Sequence, residues 1–198
     1  YNGVAIFSKL PLSDKEIYKR CGKNDCRHIS ARVGGKFELH NIYIPAGGYD
    51  ADMASEKFRH KLGFVDELAD WFKKERDSKQ PMIAVGDLNI APLENDVWDH
   101  KKMLNVVSHT PIECKKFDHF YRSAAWVDAV RHFVPEEKKL YSWWSYRAED
   151  WDAADKGRRL DHIWVTQKLK PALKKQSILR DVRGWTRPSD HAPVVVDL

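Results

Sequence analysis

The stretch Met82-Ile83-Ala84-Val85-Gly86-Asp87-Leu88-Asn89 decides how this chain is read. A short apolar run ends abruptly in a carboxylate and an amide. The run is too short for a helix and β-branched enough for a buried strand. Asp87 and Asn89 alternate with Leu88, so persistent strand geometry would put both on one side, about 7 Å apart at Cα. The strand exit opens into the Pro92 loop, where an α/β scaffold usually presents its chemistry. Alone, an Asp-x-Asn at such an exit is more often a turn or cap than a catalytic pair. It gains weight because similar polar endings recur later in the chain.

On the N-terminal side, Gly3 to Phe7, Arg27 to Val33 and Phe37 to Ile44 read as strands, with Gly34-Gly35 as a hairpin turn. The clearest helix runs from Ser55 to Arg76, where Phe58, Leu62, Val65, Leu68 and Phe72 recur every three or four residues and form a core stripe. On the C-terminal side, Phe117 to Phe133 reads as a helix interrupted at Val127-Asp128. Strands follow at Tyr141 to Tyr146, Leu160 to Thr166, Ser177 to Val182 and Ala192 to Asp197. Strands that mostly connect to strands, with two long helices between them, argue for an α+β layered sandwich over an alternating parallel sheet. No repeat, linker or low-complexity tract divides the chain, so residues 1–198 read as a single domain.

Composition narrows the class. Hydrophobic residues at 42% and charged residues at 32% describe a soluble globular protein and exclude a disordered chain. No apolar run reaches membrane-spanning length, and no signal pattern is visible. A net charge of +5 suits a polyanionic partner without being diagnostic of one. Cys21, Cys26 and Cys114 have no zinc spacing and leave one thiol over in any pairing, so free thiols in a reducing cytosol are expected. The chain opens Tyr1-Asn2-Gly3 with no initiator Met, apparently already inside a strand, and reads as a fragment or a renumbered chain.

Three further islands resemble Asp87-Leu88-Asn89. Asp161 starts the apolar strand of Gly157-Arg158-Arg159-Leu160-Asp161-His162-Ile163-Trp164. Asp190-His191 precedes the last strand, and Tyr43 ends another in Asn41-Ile42-Tyr43-Ile44-Pro45. Three acids, an amide, a histidine and a phenol at strand boundaries form the inventory of divalent-metal phosphate hydrolysis. Hard carboxylate oxygens suit Mg²⁺, and a carboxylate can orient or deprotonate the attacking water. Amide and phenol donors can hold phosphate oxygens, and a histidine paired with an acid can meet the developing charge. Each island also has a plain structural reading: Asp190 as a turn cap, Asp161 paired with Arg158 or Arg159, Tyr43 as core. Four in one domain favour a site. The segment Tyr141-Ser142-Trp143-Trp144-Ser145-Tyr146-Arg147 sends its two tryptophans to opposite faces, one to the core and one to a pocket. Aromatic rings beside Arg158 and Arg159 suit nucleic acid, and an aromatic core beside a solvated basic turn fits equally well.

At these residues the chain resembles the exonuclease III family of abasic-site endonucleases, within the endonuclease/exonuclease/phosphatase superfamily. The resemblance is carried by residues 86–92, 142–147, 159–161 and 188–193, with Asn2-Gly3-Val4-Ala5-Ile6 and Tyr43 in the expected order. It implies a four-layered α/β/β/α sandwich of two packed mixed sheets flanked by helices, with the N-terminal strands missing from this chain. It implies Mg²⁺, with Mn²⁺ as a substitute, and incision 5′ to abasic sites together with 3′-to-5′ exonuclease and 3′-phosphatase action. The expected partner is double-stranded DNA with abasic sites or blocked 3′ ends, met by a monomer in a bacterial cytoplasm and at the nucleoid. By the same resemblance Asp87 and Asn89 place the water, and His191 supported by Asp161 acts on the phosphate. Tyr43 donates to a phosphate oxygen, and Asp190 sits near the metal. Trp143 and Leu160, with Arg159, bind the substrate around a flipped-out abasic sugar. The family's main metal-binding glutamate lies in a segment that would precede Tyr1. Two other readings stand beside this one: a non-catalytic or truncated DNA-binding module, and a phosphatase of small-molecule or lipid phosphates.

Overall fold

The computed structural model describes residues 3–198; Asn2, one of the residues carrying the resemblance, lies outside the described residues. In chain order the strands are β1 (Leu12–Ile17), β2 (His28–Val33), β3 (Phe37–Ile42), β4 (Met82–Asp87), β5 (Val127–Asp128), β6 (Trp143–Trp144), β7 (Gly157–Arg158), β8 (Asp161–Val165), β9 (Lys175–Ile178) and β10 (Val194–Asp197). The helices are α1 (Glu56–Glu75), α2 (His100–Met103), α3 (Pro111–Ser123) and α4 (Trp151–Ala154).

Six strands form the main sheet in the order β1-β2-β3-β4-β8-β5. β2 and β3 are the expected hairpin, in register from His28 opposite Ile42 to Val33 opposite Phe37, and Gly34 and Gly35 take the positive φ its turn requires. α1 carries the chain over to β4, which runs parallel to β3. This short strand reaches the sheet only because residue 86 is glycine. A Cβ there would fall 1.9 Å from the Ile42 carbonyl oxygen.

One face of the sheet packs on helices. Ile42, Met82, Ala84 and Trp164 meet Phe64, Val65, Leu68 and Phe72 of α1 and Phe117 and Phe120 of α3 in one buried cluster. The other face packs Ile83 and Val165 with Val196 of β10, the strand that pairs with β9 in a second sheet. Ile178 at the end of β9 and Trp151 of α4 both pack against the cluster of Tyr141, Trp144 and Ala192. The architecture is α+β, two packed sheets with helices, as expected. Among the described residues no helix is long and apolar enough to cross a membrane.

Several expected boundaries move. Residues 3–8 form no regular strand, and a hydrogen bond from Asn41 Nδ2 to the Ala5 carbonyl at 2.8 Å ties them to β3. β1 is a strand that hydrophobic alternation does not show, because all but Leu12 of its residues are exposed; antiparallel pairing with β2 makes it. The helix expected at 117–133 begins at Pro111 and ends at Ser123. Its start is set by a capping box between Thr110 and Glu113 with Pro at the first turn, and Val127-Asp128 leaves the helix to pair with β8. Residues 177–182 divide between the end of β9 and a 3-10 turn at Arg180–Gly184. All three cysteines are free thiols.

Candidate active site

β4 and β8 supply the floor of the site. Their antiparallel register sets Asp87 directly opposite Asp161, and Leu88 N–H donates to the Leu160 carbonyl at 2.8 Å just beyond. Two acids facing each other across a ladder repel. An imidazole enters between them from the turn before β10, where His191 bridges to Trp143 of β6. His191 Nδ1 lies 2.8 Å from Asp161 Oδ2, and its Nε2 lies 3.9 Å from Asp87 Oδ2. Asp87, Asp161 and His191 bring their ligand atoms within 4.8 Å of one another, the one such group among the described residues.

Asn89 reaches Asp87 by a route that differs from strand alternation. Its φ of 52° is left-handed, a conformation asparagine tolerates better than most residues. The turn folds the residue back, so its N–H donates to Asp87 Oδ1 at 3.0 Å and its Nδ2 to Asp87 Oδ2 at 3.0 Å. The same Nδ2 donates to the Ile44 carbonyl at 2.9 Å. Both carboxylate oxygens of Asp87 are thereby oriented.

Ser142 does the same for Asp161 and was not singled out in the sequence. Fully buried, it donates from Oγ to Asp161 Oδ2 at 2.7 Å and accepts the N–H groups of Leu160 at 3.1 Å and Asp161 at 3.0 Å. Its carbonyl accepts Ala192 N–H at 2.7 Å, which joins the histidine turn to the same point. A serine in a strand-like aromatic segment carries no mark of such a role, and only the Leu160-Asp161 backbone folded onto it reveals one.

The electrostatics follow from this packing. Burial, then the facing charge of Asp161, pushes the Asp87 carboxyl up to about 7 against the pull of His191. Burial works against a charged His191, but the hydrogen bond and charge of Asp161, with Asp87 and Asp190, prevail and lift it to about 9. Two acids therefore share one imidazolium, and the pocket is short of positive charge. Hard carboxylate oxygens in a charge-deficient, half-buried position are donor chemistry that fits a hard divalent cation.

A cleft of about 880 Å³ opens above, lined by Tyr43, Asn89, Trp143, Arg158, Leu160 and His191 among others. Trp143 faces it while Trp144 is buried, as alternation required. Tyr43 stands at the end of β3 with the Arg27 guanidinium 4.7 Å over its ring. Asp190 borders the cleft, where its Oδ2 accepts the Trp143 indole N–H at 2.9 Å. One expectation needs correcting: Arg159 does not face the cleft at all. It is buried, with Nε and Nη2 each 2.9 Å from Asp96 and Nη1 2.5 Å from Asp128. Neighbours in extended chain point oppositely, so Arg158 takes the cleft side. Its guanidinium lies 5.0 Å over the Trp143 ring and donates to Ser108 Oγ at 3.0 Å.

Over residues 1–191 the chain matches the endonuclease/exonuclease/phosphatase family. It is 32% identical over 200 residues to an exodeoxyribonuclease of Bacillus subtilis (strain 168), across 98% of this chain and 73% of the relative. Among solved structures it is similar to an AP endonuclease from Archaeoglobus fulgidus, with a TM-score of 0.88 and 26% identity over 96% of this chain and 73% of that one. It is also similar to a 3′ phosphatase from Neisseria bound to a product DNA hairpin, with a TM-score of 0.85 and 26% identity over 96% of this chain and 72% of that one.

Proposed function

The chain belongs to the endonuclease/exonuclease/phosphatase family, and on that premise we propose that it is a DNA-repair nuclease, a phosphodiester hydrolase that incises DNA 5′ to abasic sites and trims blocked 3′ ends. The observation that carries this is Asp87 held opposite Asp161 with His191 on their open side. Relatives named as an exodeoxyribonuclease, an AP endonuclease and a DNA-bound 3′ phosphatase support the substrate class.

Asp87, on the floor of the cleft, is placed to orient or deprotonate an attacking water. Asn89 keeps that carboxylate aimed. His191, charged and locked by Asp161, meets the negative charge that develops on the phosphoryl oxygens. Tyr43, on the same wall, donates to a phosphate oxygen, and Arg158 adds positive charge at the rim. Trp143 and Leu160 offer an apolar wall that accepts a sugar without a base and excludes an intact nucleotide by shape. Asp190 orients Trp143 through its indole N–H. Oxygen atoms of Asp87 and Asp161 would hold Mg²⁺, with Mn²⁺ as a substitute, and the cation would supply charge neutralisation of the phosphate. Arg158 and Trp143, with Tyr146 and Arg147 on the same cleft, favour a polynucleotide over a small phosphate ester.

The test is incision of an end-labelled duplex containing one abasic site, with Mg²⁺. The protein should nick it, and Asp87→Ala and His191→Ala should each remove nicking while remaining folded. Nicking that survives both substitutions would sink the assignment, and faster turnover of an inositol phosphate than of abasic DNA would reassign the substrate.

A further inference from the structure

Below the cleft floor lies a charged group with no part in the chemistry described above. Lys61 sits on the core face of α1, beside Phe58, Leu62 and Val65, and is fully buried. Its Nζ lies 2.5 Å from Glu113 Oε1, donates to the Asn89 carbonyl at 2.7 Å and donates to the Ala46 carbonyl at 3.2 Å. Glu113, equally buried, accepts Ser108 N–H at 3.0 and 2.9 Å, Thr110 N–H at 3.1 Å and Thr110 Oγ1 at 2.7 Å. One ammonium and one carboxylate thus tie three separate chain segments together. Ala46, Asn89 and Ser108, one from each segment, all line the cleft.

The first of those segments is shaped to close on the lysine. Gly47 has φ of +91°, and a Cβ there would stand 2.7 Å from Lys61 Cδ. Stability gives no reason for a charge at this position, since a buried ion pair is commonly matched or bettered by apolar residues of similar volume. The contact with Asn89 does give one. A carbonyl fixed by a cation on one side of the residue holds the left-handed turn, and that turn is what aims the Asn89 N–H and Nδ2 at Asp87.

We propose that Lys61 is a positioning residue for catalysis, holding the Asp87-Leu88-Asn89 turn in its reactive shape through the Asn89 carbonyl and tying that turn to the Ala46 loop through the Ala46 carbonyl. The proposal rests on the nuclease reading above. Glu113 keeps the ammonium neutralised, and its removal alone leaves the bond from Lys61 to Asn89 in place.

The test compares Glu113→Gln with Lys61→Met/Glu113→Gln in the full-length protein, on the abasic duplex with Mg²⁺. Glu113→Gln should lower the unfolding midpoint and leave kcat within about twofold of wild type. The double variant, neutral and apolar, should lose about ten- to a hundredfold in kcat with KM within about twofold, the signature of a reacting group displaced without loss of DNA binding. In DNA-free samples the Asn89 side-chain amide resonances should shift and exchange faster in the double variant, and remain at their wild-type positions in Glu113→Gln. Full kcat in the double variant, equal kcat losses in both variants that follow their stability, or a double variant that cannot fold would each overturn the proposal and make the pair structural. Wild-type protein inactive on abasic DNA would instead defeat the nuclease reading, and the amide resonances would still decide whether Lys61 positions Asn89.

Discussion

Two clusters of buried or half-buried acids lie on either side of Leu160, and they differ in one respect. Behind the sheet edge, Asp96 and Asp128 meet Arg159 and Arg131, two acids with two guanidiniums. In the cleft, Asp87 and Asp161 meet His191 alone. The first cluster is closed in charge and geometry: burial works against a charged Asp128, but the Arg159 guanidinium prevails and holds its carboxyl below the usual range. The second is one positive charge short: burial and the facing Asp161 hold the Asp87 carboxyl near 7, and the acids around it hold the imidazole near 9. Paired acids, anchored two residues apart at Arg159 and Asp161, build a rivet in one place and a reactive site in the other.

The largest effect that would sharpen this contrast is catalytic. His191→Ala and Asp87→Ala should each lower the incision rate by about a thousandfold, within the range for loss of a positioned acid or base, while circular dichroism stays native. Nearly as large, and opposite in kind, is the rivet. Arg159→Met leaves Asp128 without a guanidinium and buried Asp96 with Arg131 alone, and should destabilise the fold by about 3–5 kcal/mol, read by urea unfolding. A stable Arg159→Met protein would break the comparison.

Acid should weaken the rivet next. His162 is buried beside Arg159 and donates from Nε2 to the Ile90 carbonyl at 2.8 Å. Burial, then the charge of Arg159, pushes it down from 6.5 to about 4. Between these values the unfolded chain binds the proton and the folded protein does not. The stability His162 contributes is therefore complete above pH 6.5 and is lost as pH falls towards 4, by about 3 kcal/mol, measurable as a falling urea midpoint. A flat urea midpoint over that window in His162→Phe would assign the loss to this ring.

Smaller again is the response of the cleft to a cation. Mg²⁺ at about a hundred times its Kd should stabilise the wild type by about 2.7 kcal/mol, and the gain should vanish in Asp87→Asn. The smallest effect is the most discriminating. Asp87→Asn without Mg²⁺ relieves the repulsion from Asp161 and should leave stability unchanged or raise it by about 1 kcal/mol, whereas Asp96→Asn in the rivet should lower it.

Much of this was legible before the fold. The apolar run at Met82, the Gly34-Gly35 hairpin and the stripe on α1 are local signals, and each formed the element it indicated. The α3 boundary was also written locally, as Thr110-Pro111 with Glu113, but the apolar spacing further on drew the helix too late. β1 had no local signal, because an exposed edge strand is defined by its partner. Ser142, Lys61 and the exchange of roles between Arg158 and Arg159 were hidden for a related reason. Each owes its place to residues distant in sequence that the fold brings against it.

The sequence by itself determined the chemical inventory: acids, amide, histidine and phenol at strand ends, with aromatic and basic residues beside them. Side-chain chemistry and strand period are properties of short segments, so they can be read without coordinates. Only the tertiary structure decided which acids face each other, which arginine turns to the cleft and which lysine lies beneath it. Those choices rest on the β4–β8 register and on the balance of buried charge. Both are set by contacts between residues far apart in the chain, and no single segment contains them.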